Sequence, residues 1–376
     1  MVMRILVVGD FLKTSGMTRY IFNVIGRIHK SNFKVDALCI SGKDECKKQV
    51  EEMNWGFYSV CAANNNLFLH LLQSFIFFKK HAKDYDVIHF NESALWNFLP
   101  ILFARLFGAK KIVLNSHNTY FASEGSKKVY AVLEVMHRIG KHLVSRVVSK
   151  NIAVSEEAAM WMFTSKVINR HEYKIIVNGI ELQRFAYNGD RRLKVRNSLK
   201  IDEHTFLFGN VGVFNARKNQ IRLLEIFNEL VKRKLDVKLV LVGDGPMEQE
   251  IVAKIHELKL TDKVVMTGSI TNTHEYYQAM DGVIMPSLNE GLSTVLLEAQ
   301  TAGLQFILSQ GLPLGNHIGA LVHEVPLSES NRVWADVIQN NMNRGKRELC
   351  AAEMKEKGFD VELSAKELYE TYLEER

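Results

Sequence analysis

The sequence predicts an α/β protein of two domains, each a doubly wound parallel sheet. Three observations carry this. Short apolar runs recur without strict alternation, which suits strands covered on both faces. Segments of helical length separate most of the runs, as parallel strands joined by crossover helices require. The pattern halts at a polar stretch, 188–203, and then restarts. A chain of 376 residues has room for two such domains.

The strand candidates in the first half are 4–8, 33–40, 56–60, 86–90, 111–115, 151–154 and 174–177, with helices such as 17–29, 67–83 and 93–107 between them. After the polar stretch come strands 205–211, 237–242, 263–267, 282–285 and 306–309, with helices 219–233 and 247–259. The final segment, 361–375, spaces Val361, Leu363, Leu368, Tyr369, Tyr372 and Leu373 as one helical face. The expected domains are therefore 1–187 and 188–360. The closing helix, 361–376, is expected to pack back toward the first domain. Facing sheets of this kind make a cleft, because ligands bind beyond the carboxyl ends of parallel strands.

Composition narrows the function classes. Sparse Pro (5) and Gly (23) beside 47% hydrophobic residues exclude disorder. Only four cysteines in a chain of this length exclude a disulfide scaffold, and the lack of C-x-x-C spacing argues against structural zinc. The apolar runs 67–78 and 96–107 are too short to span a membrane, and 5–8 is too short for a signal-peptide core. A cytoplasmic protein is expected. Residues 1–187 hold 25 Lys and Arg against 15 Asp and Glu, a charge of +10; the remainder holds 23 against 27, or −4. Within the basic half, 126–150 carries Lys127, Lys128, Arg138, Lys141, Arg146 and Lys150 against Glu134. This is a solvated helix face or a patch for an anionic membrane. No nucleic-acid reading motif accompanies it.

The most chemical stretch is Glu290-Gly291-Leu292-Ser293-Thr294, which opens a helix carrying Glu298. Ser293 or Thr294 can cap that helix and leave backbone N–H groups for a phosphate. Glu298 is surrounded in sequence by apolar residues and needs a partner, either a structural cation or a ligand hydroxyl. Arg217 and Lys218 occupy the first strand-to-helix turn of the second domain, where adjacent cations can clamp a diphosphate. Gly243-Asp244-Gly245-Pro246 reads as a tight turn, with Pro246 as first helical residue. In the first domain, Ser15-Gly16 follows the first strand and His117 the fifth. Asp84-Tyr85-Asp86 resembles a metal-binding pair but precedes its strand, so no metal site is assigned. Neither the 9–16 loop nor the 243–248 turn fits the dinucleotide fingerprint.

In this order, Ser15-Gly16, Ser116-His117-Asn118, Val154-Ser155-Glu156-Glu157, Val177-Asn178-Gly179-Ile180, Arg217-Lys218-Asn219, Gly243-Asp244-Gly245-Pro246 and the Glu290/Glu298 pair resemble the family-4 retaining glycosyltransferases of the GT-B fold. The likeness is to the bacterial capsular and exopolysaccharide branch. It implies a nucleotide-sugar donor, UDP-linked, and a glycan or lipid-linked acceptor, with no cofactor and no metal. It gives Glu290 and His117 the catalytic positions, and assigns donor binding to Lys218, Arg217, Glu298, Gly291, Leu292, Ser293, Gly243 and Gly16. Gly16 and Ser15 fall on the acceptor side. Retention is thought to follow a front-face route, in which the departing diphosphate helps take the acceptor proton. A cytoplasmic enzyme, peripheral on the inner membrane face, is implied. The chain departs from the family at Val213, where Arg is common, at Gln310, where Asp is frequent, and at Ser15, where a second Gly is common. The alternatives are a non-catalytic relative acting as a binding subunit, or a UDP-sugar 2-epimerase.

Overall fold

The computed structural model describes residues 2–13, 15–28, 33–119, 121, 127–290 and 293–374. The chain forms two compact units, one of Met1–Gly179 with Val361–Arg376, the other of Ile180–Asp360. The break thus precedes the polar stretch. The reason is the short helix Leu182–Phe185, which buries Leu182 and Phe185 in the second unit, with the Phe185 ring 5.9 Å from that of Tyr277.

In the first unit, β1 (Met3–Gly9), β2 (Phe33–Cys39), β3 (Gly56–Ser59), β4 (Val87–Glu92), β5 (Ile112–Ser116), β6 (Lys150–Ala153) and β7 (Lys174–Ile175) form one parallel sheet. Their order is β3-β2-β1-β4-β5-β6-β7. Ile5, Val7, Val87 and Val113 enter one core, and Leu6, Val8, Ile88 and Leu114 the other. Burial on both faces is why these runs read as continuous.

The helix Val361–Leu373 belongs to the first of these cores. Its buried face is Val361, Ala365, Leu368 and Tyr372, whereas Leu363 and Leu373 are exposed. The sequence reading placed those two leucines on the buried face, but they fall outside the four-three-four spacing that meets the sheet. Lys111 ends this helix by donating from Nζ to the carbonyls of Thr371, Tyr372 and Glu374, which otherwise lack intrahelical partners. The segment 17–29 shortens to a helix Gly16–Asn23 followed by a 3-10 turn, Ile25–Arg27; residue 29 lies outside the described residues.

The second unit has β8 (Phe206–Val211), β9 (Val237–Val242), β10 (Val264–Met266), β11 (Gly282–Met285), β12 (Gln305–Ser309) and β13 (Val322–Val325), parallel in the order β10-β9-β8-β11-β12-β13. At the amino end of β11, Asp281 is buried and accepts from Arg192 (2.7 Å), Arg196 (3.2 Å) and Arg344 (3.0 Å). These bonds tie the helix Gly189–Ser198 to the sheet. Removing one member of such a buried group costs about 3–5 kcal/mol, because the remaining charges stay desolvated.

In each sheet the chain reverses its winding direction once, between β1 and β4 and between β8 and β11. The carboxyl ends of those strands flank the crevice where doubly wound sheets bind ligands. No helix among the described residues is long and apolar enough to cross a membrane.

Candidate active site

In the second unit, β8 runs into Gly212 at φ +148°, and a Cβ there would lie 3.2 Å from Lys218 Cε. Asn215 then caps a 3-10 turn, Ala216–Lys218, by accepting from the Lys218 backbone N–H at 3.0 Å. Across the crevice, the loop after β11 is stitched to this turn. The Leu288 N–H donates to the Arg217 carbonyl (2.8 Å), and Asn219 Nδ2 donates to the Pro286 carbonyl (3.0 Å). Glu290 lands between the cations, with Oε2 2.8 Å from Arg217 Nη1 and Oε1 2.8 Å from Lys218 Nζ. Burial alone would raise the Glu290 carboxyl; the charges of Lys218 and Arg217 outweigh it and hold the group below its usual range. Gly243, at φ +140°, closes the crevice floor, since a Cβ there would meet the Gly212 carbonyl at 2.0 Å. Glu298 lies on the buried helix Thr294–Thr301 and accepts from the Tyr277 hydroxyl at 2.8 Å.

The first unit builds a different surface at its own reversal point. Asp10 follows β1 and accepts from Ser15 Oγ and Thr18 Oγ1, both at 2.7 Å. Ser15 in turn caps the helix Gly16–Asn23, accepting from the Thr18 N–H at 3.4 Å. At the end of β4, Asn91 and Glu92 are buried, and beyond β5 His117 is buried with Nε2 2.8 Å from Asn91 Oδ1. Burial drives the His117 imidazole down to about 3, so the ring is neutral at pH 7.

Comparison with known proteins decides the family. Residues 14–184 match the family described as Glycosyltransferase Family 4, and residues 191–320 match Glycosyl transferases group 1. Together the two matches span most of the chain. The protein is a family-4 glycosyltransferase.

The chain is 29% identical to the putative glycosyltransferase EpsF of Bacillus subtilis (strain 168) over 377 residues, covering 98% of this chain and 96% of that protein. It is 26% identical to an Escherichia coli UDP-Gal:alpha-D-GlcNAc-diphosphoundecaprenol alpha-1,3-galactosyltransferase, covering 60% of this chain and 58% of that one. The fold is shared with Anabaena HepE, solved in complex with UDP, at a TM-score of 0.77 and 17% identity over 99% of both chains. The glycosyltransferase therefore has the GT-B architecture, two Rossmann-like parallel sheets.

Of the residues singled out in the sequence, the fold gathers Arg217, Lys218, Glu290 and Gly243 around one crevice, and Ser15 beside Gly16 at another. Gly291 and Leu292 lie outside the described residues. Ser293 holds the cap position of the helix but makes no capping bond; its hydroxyl lies 3.9 Å from Met285 Sδ. Pro246 is not the first helical residue, because the Met247 N–H bonds the Phe214 carbonyl and delays the helix to Glu248. Gly16 has open space where a Cβ would be, so packing does not demand glycine there. Asp84 is engaged by His81 and Asp86 by Lys110. Of the basic stretch, Lys127, Lys128, Arg138 and Lys141 lie on the helix Lys127–Val144, Arg146 follows it and Lys150 begins β6; residue 126 lies outside the described residues.

Sequence reasoning missed Asp10, Asn91 and Glu92. Their signal was available: each is a polar residue at the end of an apolar strand that flanks the reversal point. Burial first, and the Asp10 charge second, push the Glu92 carboxyl up from 4.5 to about 8. Its contribution to stability is complete below the unfolded value and is lost as pH rises through about 8, because the unfolded chain releases the proton first. Glu92→Gln should therefore flatten the fall in stability between roughly pH 5 and 8, an effect on the order of a few kcal/mol. Thermal melts across that range check it. Parallel curves for the two proteins would show that Glu92 is not held neutral.

Proposed function

We propose that this glycosyltransferase is a metal-independent, retaining, hexosyl-type enzyme that moves a sugar from a UDP-sugar to a glycan or lipid-linked acceptor in surface polysaccharide synthesis. The observation that carries the donor half is the Arg217–Lys218–Glu290 cluster at the reversal point of the second sheet. Two cations held on a rigid turn neutralise a departing diphosphate without rearrangement, so the electrostatic work is done before the bond breaks. Arg217 also supplies a guanidinium in the loop where Val213 replaces the family's usual arginine. The UDP complex of HepE supports the base, and the undecaprenol-linked substrate of the Escherichia coli relative supports the acceptor class.

A panel of nucleotide sugars, scored for transfer and for release of free nucleotide in EDTA, tests this reading. Transfer from a UDP-sugar that survives EDTA is expected. Activity abolished by EDTA and restored by manganese would overturn metal independence. Binding without turnover would favour the non-catalytic alternative.

Contact with an anionic membrane belongs to the same proposal. The helix Lys127–Val144 exposes Val132, Val135 and Ile139 on one stripe, beside Lys128 and Arg138. Apolar side chains rimmed by cations match the interface of an anionic bilayer, where each basic residue contributes ~1 kcal/mol. Sedimentation with vesicles should show binding that needs anionic lipid and weakens with salt. Equal binding to neutral vesicles would sink the idea.

A further inference from the structure

The first unit carries a second concave surface, at the end of its sheet opposite the strand ends described above. The helix Lys127–Val144 runs back toward the amino ends of the strands, as a crossover between parallel strands must. Just past it, Ser149 exchanges two hydrogen bonds with Ile112, the first residue of β5. The Ser149 N–H donates to the Ile112 carbonyl at 2.8 Å, and its Oγ accepts from the Ile112 N–H at 3.2 Å. The end of this helix and the short helix Ser165–Asn169 wall a cleft of about 770 Å³. That volume is within the range of small-molecule sites. Asp10 and His117 follow the carboxyl ends of β1 and β5, so the cleft is separate from the surface they build.

The lining gathers cations: Arg138, Lys141, Arg146 and Lys166. Glu172 is its one acid, and Arg170 answers that charge at 3.5 Å. Arg138 is ion-paired with Glu134. Lys141 uses two of its three N–H groups on the carbonyls of Met160 (3.3 Å) and Trp161 (2.8 Å), which fixes the ammonium and leaves one donor. Arg146 and Lys166 are exposed and make no ion pair or side-chain hydrogen bond among the described residues. A helix C-terminus disfavours an anion, but two carbonyls near this one are covered. His142 Nδ1 lies 2.9 Å from the Arg138 carbonyl, and Ser145 Oγ donates to the His142 carbonyl at 3.0 Å.

We propose that this cleft binds a phosphate-bearing anion, either a soluble diphosphate or phosphate ester, or the headgroup of an anionic lipid. The uncommitted groups of Lys141, Arg146 and Lys166 are all donors, so the ligand must be rich in acceptors. Arg146 offers a planar fork that meets two oxygens at once, and the lysines offer point charges. A carboxylate brings one charge to three cations, whereas a diphosphate can answer all of them. Low-dielectric walls focus the field of such a cluster into the cleft. The bound anion would tie the end of one helix to the start of the next. The lipid source rests on the membrane contact proposed above; the soluble source does not.

Titration of the whole ¹⁵N-labelled chain with pyrophosphate, read amide by amide at about 0.15 M salt, tests this. Residue-resolved shifts separate the cleft from the Arg217–Lys218 pair, which a diphosphate also meets. The amides of Ser145, Arg146, Ser165 and Lys166 should shift saturably. Arg146→Gln combined with Lys166→Gln should weaken that response about tenfold or more, the value of a charge-assisted hydrogen bond. Both positions are exposed, so the unliganded variant should melt as the wild type does. Lys128→Gln, on the same helix but outside the lining, should leave the response unchanged. Vesicles containing phosphatidic acid that displace pyrophosphate from these amides would support the lipid headgroup; vesicles that leave it in place would support a soluble anion. Three results would overturn the proposal: pyrophosphate leaving these amides unmoved, acetate at matched ionic strength moving them equally, or the double variant responding as the wild type does.

Discussion

Glu290→Gln is expected to lower turnover by about 10²-fold or more, the loss typical of removing one preorganised electrostatic group, while UDP binds as tightly as before or more tightly. The wild-type carboxylate is shared by Lys218 and Arg217, so an arriving diphosphate competes with Glu290 for both cations. Glutamine keeps the shape and drops the charge, which releases the cations to the nucleotide. In the proposed reaction, the carboxylate's own contribution belongs to the step in which the glycosidic bond breaks and charge develops on the sugar. Loss of such an interaction falls on turnover rather than on ground-state binding. Glutamine is chosen over alanine because emptying a buried ion-pair position costs about 3–5 kcal/mol and would confound the comparison. Calorimetry with UDP and initial rates with the nucleotide sugar measure the two effects separately. A variant that loses UDP affinity in step with turnover would place Glu290 on the nucleotide instead.

Glu298→Ala should show the complementary pattern, weakening UDP and nucleotide sugar alike by roughly 10–100-fold, the value of a hydrogen bond to a charged group. At saturating donor its turnover should stay near that of the wild type, if the donor-binding role implied for Glu298 is a contact to the ribose, which undergoes no bond change. The sequence left Glu298 between a structural cation and a ligand hydroxyl. The structure supplies the Tyr277 hydroxyl as one partner, with the carboxylate on a helix whose surroundings are buried. Tyr277→Phe is the control, because it removes that bond while keeping the carboxylate. It should cost stability of order 1 kcal/mol and leave UDP binding within a few-fold of the wild type. A folded Glu298→Ala protein that binds UDP normally would reduce Glu298 to a structural acid.

The two glutamates show where sequence reading ends. Glu298 was visible as an acid in an apolar setting that needs a cation or a ligand hydroxyl, and Glu290 as the acid that precedes the helix. Glu290 forms salt bridges with two cations about seventy residues away along the chain. Nothing in the local pattern of either segment specifies that meeting. It follows from β8 and β11 pairing side by side, which only the sheet order establishes.

What the sequence determined by itself was whatever is periodic or adjacent. The apolar runs, their spacing and the restart after the first domain fixed two parallel sheets, because burial on both faces leaves a mark on every strand. The order of Ser15-Gly16, His117, Arg217-Lys218 and Glu290 to Glu298 carried the family. Tertiary structure alone decided which polar strand ends share a crevice and in what protonation state. Asn91 meets His117 Nε2 through its Oδ1 while its Nδ2 donates to the Val8 carbonyl of β1. Burial pushes the Glu92 carboxyl up, and the charge of Asp10, itself engaged by Ser15 and Thr18, adds to the rise. Such properties depend on distance and local dielectric between residues far apart in the chain, and neither quantity is written in the order of the amino acids.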